Sequence, residues 1–441
     1  MYKSIIIFLT LVLVLPLVLS AQEHPGFRVI GRHLYDNCSE KVVLRGVANP
    51  NIWFQKSGLP HYTEIEQTGA NAVRIVWDTT GTATQLDQAI ANCIDLDMIP
   101  MIECHDATGK WSELDNVVSY WTRSDIAEVI QNHEEYLLLN IANECGNSSV
   151  SAAAFSSGYE NAIEQIRFAG IHVPLVIDGT NWGQNINILQ SEGPDLIDYD
   201  PDHNLIFSVH MWWPPMYGYD EDDIIDEIAQ SVSMGLPIIV GEFSQMHGGC
   251  SDELTGTNAI PYLTIIEQCH LNQVGYIAWS WFGNCNNLWD MTTNGTYATL
   301  YDWGEEVAVT SEYSIKNTSV RPYSIVHDGE CNPDAVKNDK YLANTEGFEL
   351  AQSYPNPFST GTHIKYNVFA AGDIILDIYD INGRKISTLV NEKKSAGSYS
   401  AYWNGSDDSG ATAGSGIYLY HLTFIKNNRI IRESAKLMLL R

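Results

Sequence analysis

Two of the most apolar runs in the chain end in a glutamate. Residues 137–144 read LLLNIANE and residues 237–243 read PIIVGEF, so Glu144 and Glu242 each close a stretch that otherwise belongs in a core. An ionised carboxylate in such a place is costly to desolvate unless it is paired or used. Other chemically capable side chains stand in comparable runs: Arg74 in NAVRIVW, His105 at the end of IPMIECH, Asn143 beside Glu144, His210 and Trp212 in IFSVHMW, and Trp279 in GYIAWSWF. Two carboxylates across one bond are the equipment for cleaving a glycosidic linkage. One protonates the leaving oxygen, and the other attacks the anomeric carbon or activates water to do so. A carboxylate also stabilises the oxocarbenium-like transition state electrostatically. The neighbours suit this chemistry. Arg74 can hold Glu242 ionised by charge pairing. His105, His210 and Asn143 offer hydrogen bonds to sugar hydroxyls or to the acid, and Trp279 offers a flat face on which a pyranose stacks. Trp77, Trp182, Trp212, Trp213 and Trp281 are candidates to extend that face.

Taken singly, each of these residues has a plainer reading as a surface charge, a core histidine, a structural ion pair or a core tryptophan. The organisation of the chain is what would join them. Eight strand-like runs recur between residues 42 and 282: 42–47, 71–77, 99–105, 137–144, 174–179, 206–212, 237–243 and 275–282. They start 28 to 38 residues apart, enough for a crossover helix each time, and 84–97 and 152–170 carry apolar residues at helical spacing. Nearly continuous apolar strands imply burial on both faces, as in a parallel sheet. Eight such units in about 250 residues is the count for an α/β (β/α)8 TIM barrel, whose active site forms at the C-terminal strand ends. An open doubly wound sheet is the rival, and no glycine-rich phosphate loop supports it. On the barrel, Glu144 and Glu242 face one cleft from the fourth and seventh strands. Two other uses of the same residues stay open: a metal hydrolase with His105, Asp106, His210, Glu242 and His247 as ligands, and a non-catalytic glycan-binding barrel.

The rest of the chain frames the barrel. Residues 1–21 have a lysine, an apolar run of about 16 residues and small residues at Ser20 and Ala21, which is the pattern of a secretory signal peptide. The run is short for a membrane span, and no later run is long enough, so no membrane span is expected once the signal is removed. Eight cysteines in an exported chain suggest disulfides rather than metal sites, since no C-x-x-C pair occurs. The net charge of −30 is uneven: residues 22–341 hold 13 Lys/Arg against 45 Asp/Glu, while residues 342–441 hold 10 against 9. Such a surface repels nucleic acid and anionic membranes and suits a neutral or cationic substrate. Periodicity fades over residues 313–345, read as a linker between a catalytic barrel at 22–312 and a domain at 346–441. That last domain consists of short alternating runs with turns such as Asn382-Gly383, the texture of a β-sandwich.

The segments NIANECG, FSVHMWW, IVGEFS and IAWSW together resemble glycoside hydrolase family five. More narrowly, GRHLYD, LRGVAN, TGANAVRIV, HDATG, NWGQN, GEFSQMH, AWSWFGN and YDWGEEV resemble, in the same order, the bacterial endo-β-1,4-mannanase subfamily over roughly residues 30–310. The resemblance implies a retaining mechanism on β-mannan or a related plant polysaccharide. Glu144 would be the acid/base, Glu242 the nucleophile, and Arg74, His105, Asn143, His210 and Trp279 the lining of the −1 subsite. It implies no cofactor and no metal. An endo-β-1,4-glucanase with the same two glutamates is the alternative. Two departures stand out. The family usually has tyrosine where Trp212 stands, so that an indole N–H replaces a phenol next to the nucleophile. Cys145 follows Glu144, and a disulfide with Cys104, at the end of the neighbouring strand, is expected. Finally, LAQSYPNPFSTGTHIKYNV, IYDINGRKI, GSYSAYWNG, SGIYLYHLTF and SAKLMLLR resemble the type IX secretion sorting domain. That implies passage through the periplasm to release or cell-surface attachment by the type IX machinery; a carbohydrate-binding sandwich is the plainer reading.

Overall fold

The computed structural model describes residues 25–332 and 348–441, apart from 351–352, 369–370, 382, 396 and 427–428. The expected signal peptide and the end of the expected linker lie outside the described residues. Eight strands close into one barrel: β1 (Arg45–Asn49), β2 (Ala72–Trp77), β3 (Ile99–Cys104), β4 (Leu138–Asn140), β5 (Leu175–Asp178), β6 (Leu205–His210), β7 (Ile238–Glu242) and β8 (Gly275–Ala278). All neighbours are parallel, and β8 returns to β1 through Tyr276↔Arg45, Ile277↔Gly46 and Ala278↔Val47. Every residue of every barrel strand is buried, which is why these runs carry no polar alternation.

The intervening helices begin where local chemistry starts them. Thr82 accepts the Gln85 N–H while the Gln85 side chain accepts from Thr82, a reciprocal cap that opens the helix Ala83–Ile94. Ser151 caps Ala152–Phe168 through the Ala154 N–H. Both helices match the expected stretches to within three residues at each end.

Three expectations are corrected. The first strand does not run through 42–47. Val42 belongs to a small antiparallel sheet (Arg28–Ile30, His33–Tyr35, Lys41–Val42), and the barrel strand starts at Arg45. Leu34 and Val42 of that sheet, with Phe27 just before it, join Leu44, Ile99, Leu138, Val176, Ile206 and Ile239 in one buried cluster, so the extra strands plug one end of the barrel. The segment read as linker does not begin at 313. Helices Ile315–Thr318 and Tyr323–Val326 bury Ile315 and Ile325, and Cys331 is bonded to Cys38 across 293 residues. The loss of periodicity there reflects short helices, not detachment. Finally, Cys104 and Cys145 are separate buried thiols. The chain after β3 folds back so that Thr108, not Cys104, lies opposite Cys145. Cys104 Sγ then donates to Asp106 Oδ2 (3.2 Å) and Cys145 Sγ to the Lys110 carbonyl (3.7 Å). The second disulfide is Cys250–Cys285.

The C-terminal residues form two antiparallel sheets. One has three strands in the order Phe348–Leu350, Thr362–Val368, Gly397–Trp403, and the other four in the order Lys385–Lys394, Gly372–Asp380, Gly416–Lys426, Arg429–Leu439. Ile364, Tyr366 and Trp403 from the first meet Ile374, Leu376, Tyr420 and Leu422 from the second in a single core, which makes a sandwich.

Candidate active site

β4 stops at Asn140, and the next four residues turn across the barrel mouth. Glu144 ends that turn in the left-handed region, with φ of 47°. A non-glycine residue held there costs on the order of 1–3 kcal/mol and persists only where its surroundings dictate it. Here they do: the Asn143 N–H donates to the Cys104 carbonyl (2.9 Å) and the Glu144 N–H to Asp178 Oδ2 (2.9 Å). Glu242 is placed differently. The β6–β7 pairing slips between Val240 and Glu242, which sets Glu242 beside His210. Gly241, inside the slip, has no room for a side chain, since a Cβ would lie 2.0 Å from Ser208 Oγ and 3.0 Å from His210 Nε2. Gly183 presses on the His210 ring from another side; a Cβ there would come within 2.5 Å of Cγ.

These two placements converge. One oxygen each of Glu144 and Glu242 and one nitrogen of His210 lie within 4.8 Å of one another. His210 Nδ1 is 2.9 Å from Glu144 Oε1 and 3.4 Å from Glu242 Oε2, and its Nε2 is 3.4 Å from Asp178 Oδ2. Burial opposes charge on this imidazole, but Glu242, Asp178 and Glu144 outweigh it, and its pKa rises from 6.5 to about 10. The ring is therefore a cation at neutral pH. Asp106, engaged with Thr79 N–H and Cys104, stands outside this group.

Arg74 is the second cation. Its Nη1 donates to Glu242 Oε1 (2.7 Å), and its Nη2 donates to Asn140 Oδ1 (2.8 Å) and Asn143 Oδ1 (2.6 Å). Glu103 and Asp178 lie 3.6 and 3.7 Å from the guanidinium. Glu242 has a third partner, the Trp212 indole, whose Nε1 donates to Oε2 at 3.2 Å. Glu242 is thus aimed by Arg74, the Trp212 indole and His210. Glu144 faces the opposite balance. Burial and the neighbouring Glu242 charge push its pKa up, only partly offset by His210. A carboxyl with a raised pKa beside a second one fixed by hydrogen-bond donors is an arrangement that can supply an acid and a nucleophile or base.

The cleft above them has a volume of about 1010 Å³ and is lined by Trp53, His105, Trp182, Trp212, Tyr217, Tyr219, His247, Trp279 and Trp289 as well as the two glutamates. His105 stacks on Trp279 (centroids 5.5 Å apart) and shares its Nδ1 with Glu103 Oε1 at 3.0 Å. Burial works against its charged form, yet Glu103, Glu242 and Glu144 leave its pKa raised. Of the residues expected in the subsite, Glu144, Glu242, His105, Trp212 and Trp279 reach the cleft. Arg74, Asn143 and His210 are fully buried behind the carboxylates and act on them rather than on the open surface. Of the tryptophans expected to extend the face, Trp182 does so, whereas Trp77, Trp213 and Trp281 are core. Sequence reasoning missed Glu103, Asp178 and Asn140, which orient the cations and the acid from below. The signal was available: each sits in an apolar strand run, the criterion that singled out Glu144.

Comparison with known proteins agrees with this geometry. Residues 35–284 match Cellulase (glycosyl hydrolase family 5). The chain belongs to glycosyl hydrolase family 5. It is a glycoside hydrolase built on a closed eight-stranded parallel barrel. A mannan endo-1,4-beta-mannosidase of Cellvibrio japonicus is 32% identical over 308 residues, 67% of this chain and 68% of that protein. A mannan endo-1,4-beta-mannosidase of Salipaludibacillus agaradhaerens is 30% identical over 64% of this chain and 90% of its own. The mannohexaose complex of the Thermomonospora fusca beta-mannanase superposes with a TM-score of 0.61 at 29% identity, covering 68% of this chain and 98% of that one. In the C-terminal sandwich, residues 365–427 match the FlgD Ig-like domain.

Proposed function

We propose that this family 5 enzyme is a secreted endo-β-1,4-mannanase that cuts mannan, galactomannan or glucomannan internally with retention of anomeric configuration. The observation that carries the mechanism is the spacing of the carboxyls: Glu144 and Glu242 oxygens lie within 4.8 Å. Retaining enzymes hold their carboxyl groups about 5–5.5 Å apart, whereas inverting ones leave about 6.5–9.5 Å for a water. Glu144, its pKa pushed up by burial and by its neighbour's charge, delivers its proton to the leaving glycosidic oxygen. Glu242, fixed by Arg74 and Trp212, forms a bond to the anomeric carbon as the C–O bond breaks. Glu144, now ionised, takes a proton from water, which attacks the anomeric carbon and releases Glu242. His105 and Trp279 flank the sugar, His210 steadies the two carboxyls from beneath, and Asn143 holds the Arg74 guanidinium in place. Mannan as substrate is supported by the names of the relatives and by the mannohexaose bound to one of them.

Export rests on the signal-like residues 1–21 and on two disulfides, which persist in oxidising compartments. The sorting role of residues 346–441 in the type IX machinery, with release or surface attachment, rests on their motif order and suits an immunoglobulin-like sandwich. The deciding experiment uses the full chain on galactomannan, glucomannan and carboxymethylcellulose, beside Glu242→Gln, with the anomer of the first product read by NMR. Release chiefly from galactomannan as the β-anomer, abolished in the variant, is expected. Release chiefly from the cellulose derivative overturns the substrate, and an α-anomer first product overturns retention.

A further inference from the structure

We propose that the Cys250–Cys285 disulfide is a positioning device for the reaction: it braces Trp212 from across the cleft and through it aims Glu242. The inference rests on Glu242 being the reacting carboxylate.

Trp212 has one polar contact with Glu242, and nothing polar fixes the far side of its ring. Its edge neighbours are His247, at 6.5 Å between centroids, and Trp289, at 6.2 Å. These two rings come from different loops. His247 follows β7, and Trp289 follows β8. Among the described residues, His247 Nδ1 and Trp289 Nε1 are buried without a hydrogen-bond partner. Their positions therefore depend on how the two loops are held together.

The loops are tied at three levels. Near the barrel, the Gln245 amide donates to the Leu288 carbonyl at 2.7 Å. Next, the buried Asn286 amide donates to the Gly249 and Asp252 carbonyls, each at 3.0 Å. The tip of the β7 loop is then bonded covalently to the β8 loop through Cys250–Cys285, with Cys285 itself on the cleft wall. The base of the β7 loop is pinched by the His247 N–H donating to the Asn258 carbonyl at 2.9 Å, so the disulfide fixes an otherwise closed, projecting loop. A covalent tie between two projecting loops removes their relative motion. Here the residues so fixed are the ring partners of the group that hydrogen-bonds Glu242.

The test is a coupling measurement on the full chain, well below the unfolding temperature. Trp212→Phe, the pair Cys250→Ser with Cys285→Ser, and the combination are compared with the parent enzyme on galactomannan. Losing one modest hydrogen bond to an ionised carboxylate corresponds to a fall of about tenfold in kcat. Opening the disulfide is expected to lower kcat several-fold with a smaller change in KM, and to have little further effect once Trp212 is phenylalanine. Full multiplication of the two effects, or unchanged kcat without the disulfide, overturns the proposal. A disulfide that served stability alone would lower Tm and leave kcat untouched. If the cysteine variant does not fold, His247→Ala keeps both disulfides and is expected to show the same non-additivity with Trp212→Phe. Full activity of Glu242→Gln would instead overturn the reading of the nucleophile on which the inference rests.

Discussion

Replacing Arg74 with lysine keeps a positive charge in the pocket and removes the planar fork. The side chain is fully buried and makes three hydrogen bonds, one to Glu242 and one each to Asn140 and Asn143. An ammonium can keep the Glu242 contact as a point charge but cannot span that carboxylate and the two amides in one plane. Two amide bonds are then lost at about 1 kcal/mol each, so stability falls by about 2 kcal/mol. For a barrel of this size that corresponds to a Tm drop of roughly 4–8 °C. The loss in kcat/KM is larger than stability suggests, because Asn143 and Glu242 both lose their aim. Between about 1.5 and 3 kcal/mol of transition-state interaction gives a fall of roughly 10- to 150-fold. Arg74→Met goes further, leaving Glu103, Asp178 and Glu242 without their shared cation, a loss of about 3–5 kcal/mol. Adding Glu103→Gln to that variant removes one uncompensated charge and should restore part of the Tm. Calorimetry and initial rates on galactomannan give both quantities. Arg74→Lys with parental kcat/KM and Tm would refute the reasoning, because charge without geometry would then suffice.

Four further outcomes follow from the structure. Glu144→Gln should abolish turnover of mannan yet spare the first step on an aryl mannoside whose leaving group needs no proton, and a substrate-independent loss would remove Glu144 from the acid role. In the parent enzyme kcat/KM should fall as pH rises through the raised Glu144 pKa, and that basic limb should vanish for the activated substrate. His210, raised to about 10, adds stability that is complete below 6.5 and lost as pH climbs through 10. Asp178, lowered to about 2 against burial by His210 and Arg74, adds stability that is complete above 3.8 and lost as pH falls through 2. Urea midpoints should therefore decline on both sides of that window, and less so in Asp178→Asn. Cys93, Cys104, Cys145 and Cys269 are all buried thiols with pKa values pushed up by burial, so a thiol reagent should find none of them in the native protein and all four after denaturation without reductant. Only two thiols after denaturation would restore the Cys104–Cys145 bond expected from sequence.

The barrel was legible because its strands are buried on both faces, which leaves eight unbroken apolar runs at regular intervals. The convergence of Glu144 and Glu242 was legible for the complementary reason: a charge at the end of such a run is conspicuous. What escaped notice was set by contacts between distant residues. Nothing local to Cys104 or Cys145 says that Thr108 lies between the two loops, and nothing local to Cys38 points to Cys331. The same holds for Glu103 and Asp178. Each reads locally as a strand residue out of place, and each acquires meaning only when His105, His210 and Arg74 arrive from other strands. The difference between Glu144 and Glu242 is of this kind as well. Both end an apolar run and both are buried. They part because Arg74 and the Trp212 indole spend their hydrogen bonds on Glu242, while Glu144 is left with His210 and a like charge within 4.8 Å. The proposed assignment of acid and nucleophile thus rests on partners supplied by β2 and by the segment after β6. A substitution at Arg74 or Trp212 should therefore erode the distinction between the two glutamates without altering either of them.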